Sequence, residues 1–225
     1  MRDTAETEGS NGGGAPVRVL VVDDHEVLAT SLAHVLDDEP DLVSVGVAQS
    51  LSQARARVAT AAPDVLLLDR RLPDGDGVAA IPELRALRPS MSVVVLTAAA
   101  ADQVLVQAIE AGAAGFVSKT RSLAEVTAAV RAAAAGEAVI SPEMLSRLLP
   151  KLGRSSGPET ALTPREEEVL GMLARGLSNA AIAEELTVSV HTVRNHIANL
   201  SAKLGAHSKL EALAIAVRRG LCPDG

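Results

Sequence analysis

The chain has 225 residues and a formal charge of −7 at pH 7, which fits one large or two small domains and argues against coating nucleic acid through bulk charge, while leaving room for a local DNA-reading surface. Phe116 is the only aromatic residue, so the core must be built from Ala, Val, Leu and Ile. The single cysteine, Cys222, excludes an intrachain disulfide, argues against a Cys-based metal site and suits a reducing cytoplasm; no apolar run near 18 residues and no signal-peptide layout is found.

Residues 1–16 are polar, with a Gly12-Gly13-Gly14 run, and read as a disordered leader. Val17 to Val22 is an apolar run broken only by Arg18, a buried strand ending in Asp23-Asp24-His25. Val27, Leu28, Leu32, Val35 and Leu36 follow at helical spacing. Leu42 to Ala48 is a second strand, and Ser50 to Ala61 a helix closed by Pro63. Val65-Leu66-Leu67-Leu68 reads as a strand buried on both faces; it ends in Asp69, and Pro73 and Gly75 make the loop after it. One Asp after one strand is more often a turn cap than a reactive group; the rest of the chain reverses that weighting. Gly77 to Leu87 is a third helix, expected to start late or kink because Pro82 lies inside it. Met91 to Leu96 is a strand ending in Thr97, Asp102 to Ala111 a helix, and Ala114 to Ser118 a strand ending at Lys119. Ser122 to Ala135 is a helix with Gly136 as its C-cap.

Five strand–helix alternations imply a five-stranded, doubly wound parallel sheet with helices on both faces. In such a sheet the strand carboxyl ends share one edge, which gathers Asp23, Asp24, Asp69, Thr97 and Lys119. Clustered carboxylates repel unless a cation joins them, and hard oxygen donors suit Mg²⁺. A carboxylate beside Mg²⁺ and a lysine can attack a phosphoryl group, with a threonine hydroxyl to hold the new phosphate. Taken singly, Lys119 reads as a solvated strand-end lysine, Thr97 as strand filling, Phe116 equally as core, and His25 as a helix-start surface residue.

Four motifs, in order and each at a strand end, resemble a response-regulator receiver domain of flavodoxin-like fold over residues 17–136: Val21-Val22-Asp23-Asp24-His25, the run from Leu68-Asp69 to Asp76-Gly77, Leu96-Thr97-Ala98, and Gly115-Phe116-Val117-Ser118-Lys119. The resemblance implies that Asp69 accepts a phosphoryl group from a sensor histidine kinase. Mg²⁺ would be held by Asp24, Asp23, Asp69 and the backbone carbonyl of Arg71. Thr97 and Lys119 would hold the phosphoryl oxygens, and Phe116 takes the aromatic switch position. Thr120 stands where many receivers have Pro.

Residues 137–160 change character, with Pro142, Pro150, Gly153 and Pro158; a short helix is expected near Met144 to Leu149 and a flexible linker over Arg154 to Thr160. Beyond them, Thr163-Pro164-Arg165-Glu166 opens a helix with a capping box, ended by Gly176. Ser178 caps a second helix and Ser189 a third that runs to Leu204. Ser208 to Glu211 reads as a second capping box, opening a fourth helix closed by Gly220. On the third helix Val193, Ile197, Leu200 and Leu204 share one face, leaving His191, Arg194, Asn195, Ala198 and Ala202 largely on the other. An exposed Arg, Asn and His with small residues between them fits a major-groove reader, although a solvated face is the usual explanation of a polar stripe. His196 reads as half-buried support. From residue 161 onward seven basic and seven acidic residues cancel, the acids mostly early and the bases mostly late.

This small all-α four-helix module, over residues 161–222, resembles the LuxR-type helix-turn-helix domain. The carrying residues run from Leu162 to Leu170, Gly176 to Asn179, Ile182-Ala183, Val188-Ser189, Thr192 to Ile197, and Lys203-Leu204-Gly205. The resemblance implies contacts to double-stranded DNA from His191, Arg194, Asn195 and Lys203. It also implies a homodimer through the fourth helix, with Leu213, Ile215, Ala216 and Val217 as candidates, some of which must be core. Ala198 replaces a basic residue of some relatives, which puts one phosphate contact in question. Together the two halves resemble NarL/FixJ-family response regulators, implying a cytoplasmic transcription regulator that is not an enzyme. The alternatives are a DNA-binding regulator controlled by a ligand or partner without phosphorylation, and a phosphohydrolase. The latter commonly needs a second acid two residues past the nucleophile, where this chain has Arg71.

Overall fold

A computed structural model describes residues 15–98, 101–152 and 162–221. The leader before residue 15, the linker at 154–160 and Cys222 lie outside the described residues. Strands β1 (Val17–Val22), β2 (Leu42–Ala48), β3 (Val65–Asp69), β6 (Ser92–Thr97) and β7 (Gly115–Ser118) form one parallel sheet in the order β2-β1-β3-β6-β7. Every residue of β3 is buried, as its unbroken aliphatic run requires of a central parallel strand.

Helices α1 (Glu26–Asp37) and α5 (Leu123–Ala134) cover one face, where Ala29, Leu32 and Leu36 meet Val126 and Val130 over Val21 and Leu67. Helices α2 (Leu51–Ala61), α3 (Gly77–Leu87) and α4 (Asp102–Glu110) cover the other through Val58, Ile81, Leu84 and Ile109. The strand order reverses direction between β1 and β3, and crevices at such switch points are where these sheets bind ligands.

Two local features depart from expectation. Helix α3 starts at Gly77 and carries Pro82 inside it without a break. The Asp76 carboxylate caps its first turn, accepting from the Val78 and Ala79 amides, and buried Val78, Ile81 and Leu84 hold the second. Before it, β4 (Arg71–Leu72) and β5 (Gly75–Asp76) form a two-stranded hairpin. The Asp74 carboxylate ties that hairpin to α2 by accepting the amides of Leu51 at 2.7 Å and Ser52 at 2.9 Å; those bonds hold its carboxyl below the ordinary range.

After Gly136, which takes a positive φ of 74° as the C-cap reading requires, the chain returns along the edge of β7. Phe116 donates its amide to Val139 O at 2.8 Å, and Val139 donates to Ala114 O at 2.9 Å. Only glycine fits beside this crossing, because a Cβ on Gly115 would lie 2.1 Å from the Val139 carbonyl oxygen. Helix α6 (Pro142–Leu148) and a 3₁₀ turn at 149–151 follow, with Arg147 and Lys151 paired to Asp102 at the start of α4.

The second half contains α7 (Pro164–Ala174), α8 (Asn179–Glu185), α9 (Val190–Leu204) and α10 (Lys209–Arg218). The capping box at Thr163 and Glu166 forms in full. The expected second box is only half made: Ser208 Oγ accepts from the Glu211 amide, but the Glu211 carboxylate reaches back to the amide of His207. The Ser208 hydroxyl is donated to Ala113 O in the α/β half, 3.0 Å away.

That bond belongs to a dock between the halves. Arg85, buried at the end of α3, donates to the carbonyls of Met91, Pro89 and Gly112 and, across the dock, to His207 O at 2.9 Å. Arg218 pairs with Glu110 at 3.1 Å. The apolar core is continuous across the boundary, from Leu105 and Ile109 to Leu213 and Ala216.

Candidate functional site

The sheet edge brings the acids together as the parallel topology demands. Asp23 follows the last residue of β1 and is fully buried; Asp69 ends β3 and is 5% exposed. Lys119, one residue past β7, places its ammonium 2.7 Å from Asp23 Oδ2 and 2.8 Å from Asp69 Oδ2. The lysine is aimed inward because its amide donates to Thr97 O at 2.8 Å, tying the ends of β6 and β7. Burial alone would lower the pKa of this ammonium, but the bonds and charges of Asp23 and Asp69 outweigh it and raise it above lysine's ordinary value. Lys119 therefore stays charged.

Asp24, next to Asp23, is more open to solvent, and one ligating atom each from Asp23, Asp24, His25 and Asp69 lie within 4.8 Å of one another. Three carboxylates against one ammonium leave two uncompensated negative charges. Asp23 Oδ2, wholly buried, has the Lys119 ammonium at 2.7 Å as its one neighbouring partner among the described residues. Such a donor set fits a hard divalent cation.

Thr97 stands at the same edge, because the register sets Leu96 beside Asp69 and Thr97 one residue farther out. Its neighbours Ala98 and Phe116 line a cleft of about 390 Å³ with Met144 and Arg147 of α6. Phe116 itself is 9% exposed. Arg71 lies two residues past Asp69 in the short hairpin with its side chain exposed, and the hairpin is pressed close: a Cβ on Gly77 would come within 2.2 Å of the Asp69 carbonyl oxygen.

In α9, Val193, Ile197, Leu200 and Leu204 are buried, and His191, Arg194, Asn195, Ala198, Ala202 and Lys203 are exposed. Lys203 has a partner that sequence reasoning missed: its ammonium lies 2.7 Å from the buried Glu166 carboxylate, so it braces α9 against α7. Arg194 and Ala198 line a cleft of about 430 Å³ whose other wall includes Ser92, Ala135 and Glu137 of the α/β half. That space is too small for a DNA duplex.

Residues 19–131 match the response regulator receiver domain family, and residues 160–216 match the bacterial regulatory proteins, luxR family. The DNA-binding transcriptional activator DevR/DosR of Mycobacterium tuberculosis (strain ATCC 25618 / H37Rv) is 37% identical over 203 residues, covering 89% of this chain and 94% of its own length. The transcriptional regulatory protein LiaR of Bacillus subtilis (strain 168) is 34% identical over 208 residues, covering 91% and 99%. This chain belongs to the NarL/FixJ family of response regulators. Among solved structures, Salmonella typhimurium RcsB resembles it with a TM-score of 0.54 at 26% identity, over 89% of this chain and 97% of RcsB. A second RcsB structure, of two dimers bound to two parallel DNAs, gives a TM-score of 0.54 at 26% identity over 90% and 98%.

A NarL/FixJ-family chain is a two-component response regulator with a receiver and a LuxR-type DNA-binding domain, and its relatives are transcriptional regulators rather than enzymes. Among the described residues no helix is long and apolar enough to cross a membrane. Of the four α10 candidates, some of which had to be core, Leu213, Ile215 and Ala216 are buried and Val217 is half-buried, because α10 lies against α4 as well as α7 and α9. His25 is a helix-start surface residue as expected, the N-cap of α1 and 70% exposed, and its ring meets both Asp23 and Asp24. Its adjacency to two acids was the available signal.

Proposed function

We propose that Asp69 is the phosphoacceptor of a Mg²⁺-dependent transfer from a sensor histidine kinase, and that the phosphorylated chain binds promoter DNA as a homodimer in the cytoplasm. The observation that carries this reading is the convergence of Asp23, Asp69 and Lys119 in one buried cluster, with both ion pairs under 3 Å. Residues 17–136 serve as the phosphoacceptor unit, 137–160 as the linker and 161–222 as the DNA reader.

An Asp69 carboxylate oxygen attacks phosphorus; the P–N bond to the kinase histidine breaks, and its electron pair returns to the imidazole, which takes up a proton. Mg²⁺, held by Asp23, Asp24, Asp69 and the Arg71 carbonyl, would neutralise charge on the transferring group. Lys119 supplies a fixed ammonium for the phosphoryl oxygens, and Thr97 offers a hydroxyl one residue along the edge. When those groups draw inward, the end of β7 moves and Phe116 repacks in the cleft it shares with α6. His191, Arg194 and Asn195 then meet bases and phosphates, as the RcsB dimers on DNA support by likeness of fold. Incubation with acetyl phosphate and Mg²⁺ followed by intact mass measurement tests the first step. One added phosphoryl group in the wild type and none in Asp69→Ala is expected; equal labelling of both refutes it.

A further inference from the structure

We propose that the cavity between the two halves is a binding site for an uncharged, apolar small molecule carrying a hydroxyl, and that its occupant holds the halves docked. The site stands apart from the acidic sheet edge. Only its effect on DNA rests on reading residues 161–222 as the DNA reader.

The cavity measures about 320 Å³, within the range of about 300–1,000 Å³ that takes small ligands, and it lies at a boundary between modules, where such sites preferentially form. Ala132 of α5, Ile140, and Leu145 of α6 line one side, and Leu173 of α7 and Leu213 of α10 the other. The halves touch beside it: a Cβ on Gly176 would lie 3.3 Å from Pro142 Cβ. The space has a cause in the sequence. Ala132 and Ala138 reach no farther than a methyl, and the chain's one aromatic, Phe116, lines a different cleft. Both alanines and Ile140 are therefore only half-buried although they face the dock.

The polar groups at the rim decide the occupant. Glu137 and Lys209 pair at 2.8 Å and sum to no net charge, so a charged ligand would be buried without a counter-ion. The Lys209 ammonium has three donors, and Glu137 Oε2, Asn179 Oδ1 and Leu177 O take them all. None is left for a carboxylate or a carbonyl. The Glu137 carboxylate accepts one bond at each oxygen, from the Asn179 amide and from Lys209, and has room for about four. The rim thus offers an acceptor and calls for a donor. Burial lowers the Lys209 pKa against the pull of Glu137, as happens where water is scarce. An apolar alcohol or phenol matches this chemistry. Because the walls come from both halves, it binds the docked arrangement alone. That arrangement leaves Arg194 in a cleft too small for a duplex, so the ligand opposes DNA by linkage.

β-Naphthol is the probe, added to the unphosphorylated full chain. Its fluorescence is read without background, since the chain has no Trp or Tyr. Saturable binding of one molecule per chain is expected. Ala132→Leu and Ala138→Leu fill the space from the α/β side and should each weaken binding on the order of tenfold with the helical circular dichroism kept. Glu137→Gln, which removes the accepting charge, should weaken it as well. At about ten times its dissociation constant, β-naphthol should lower the DNA affinity of the wild type about tenfold. No saturable binding, or equal affinity in the wild type and the variants that fold, overturns the proposal. Binding in the cavity with unchanged DNA affinity overturns the docking role. A wild type that binds β-naphthol, with the variants weakened, but takes up no DNA fragment under any condition overturns the reading of residues 161–222 while the site stands.

Discussion

Glu137→Gln should release the DNA-binding half without phosphorylation. Glu137 follows α5, and its carboxylate spans the dock: Oε2 lies 2.8 Å from Lys209 Nζ, and Oε1 accepts the Asn179 amide at 2.9 Å. The lysine is 7% exposed and the glutamate 22%. Burial pushes the Lys209 ammonium below lysine's ordinary range, against the raising pull of Glu137. Gln keeps the shape and one of the two acceptor oxygens, so the substitution removes the charge and turns an NH2 donor toward either Lys209 or the Asn179 amide. Lys209 would then be buried with only neutral acceptors, Asn179 Oδ1 and Leu177 O. Truncating one side of a buried, hydrogen-bonded charge pair costs about 2–5 kcal/mol. The partial exposure of Glu137 puts this case near the lower end, about 2–3 kcal/mol, which shifts the docked-to-free ratio roughly 30- to 150-fold at about 1.4 kcal/mol per decade.

The assay is DNA binding by the unphosphorylated protein, using fragments selected with phosphorylated wild type and read by fluorescence anisotropy. Affinity should rise by up to that factor, capped once the undocked state dominates, and the radius of gyration from small-angle scattering should grow. Asp69 should still accept a phosphoryl group, since Glu137 lies near the amino ends of the strands and the acids at the carboxyl ends. A folded Glu137→Gln protein with wild-type affinity and wild-type dimensions would refute the reasoning, because the pair would then contribute nothing to holding the halves together.

Gly77→Ala forces the Asp69 carbonyl and the new Cβ apart from 2.2 Å; a loss of about 1–3 kcal/mol in urea unfolding and slower labelling by acetyl phosphate are expected, and an unchanged midpoint would contradict the close approach. Burial alone would raise the Glu166 carboxyl pKa, but Lys203 and the Thr163 amide prevail and hold it below its usual 4.5. Its unfolded value is therefore the higher one, so the stabilisation is complete above about pH 4.5 and lost as pH falls through the lower folded value. Glu166→Gln should flatten that acid limb in a circular-dichroism titration of the helical half, and an acid limb identical to wild type removes the pair as its cause.

Much of the site could be read from the sequence because its causes are local and its topology is forced. An aliphatic run such as Val65 to Leu68 has few uses besides a doubly covered strand, and once five such strands are parallel, residues at their ends must share an edge. What escaped depends on partners distant in sequence. Nothing near Asp74 announces that it caps a helix starting at Leu51. Nothing near Lys203 announces the Glu166 carboxylate beneath it. The burial of α10 left a signal that was underused: Leu210 to Ala216 is apolar around the helix apart from Glu211, and all seven residues are buried. A helix apolar on every side needs cover on every side, which three helices of its own module could not supply alone.

The dock and the Asp23–Asp69–Lys119 cluster lie at opposite ends of the strands, so any coupling must cross the sheet. From Ser92 to Thr97, β6 spans roughly 16 Å at about 3.3 Å per residue. Strand β7 is the better conductor, because both of its ends are held. Lys119 bonds Thr97 O at the acidic end, and Ala114 and Phe116 exchange hydrogen bonds with Val139, two residues after Glu137. A pull on Lys119 that slides β7 therefore drags the Val139 segment against the Glu137–Lys209 pair. Moving a population from 1:99 to 99:1 takes about 5.5 kcal/mol, and the loss of that pair accounts for about half of it. The remainder must come from the bonds of His207 and Ser208 to Arg85 and Ala113 and from the apolar contact of α4 with α10. Weakening the pair alone should thus give partial opening that phosphorylation completes, so Glu137→Gln should still respond to phosphodonor, with a smaller gain in DNA affinity than the wild type shows.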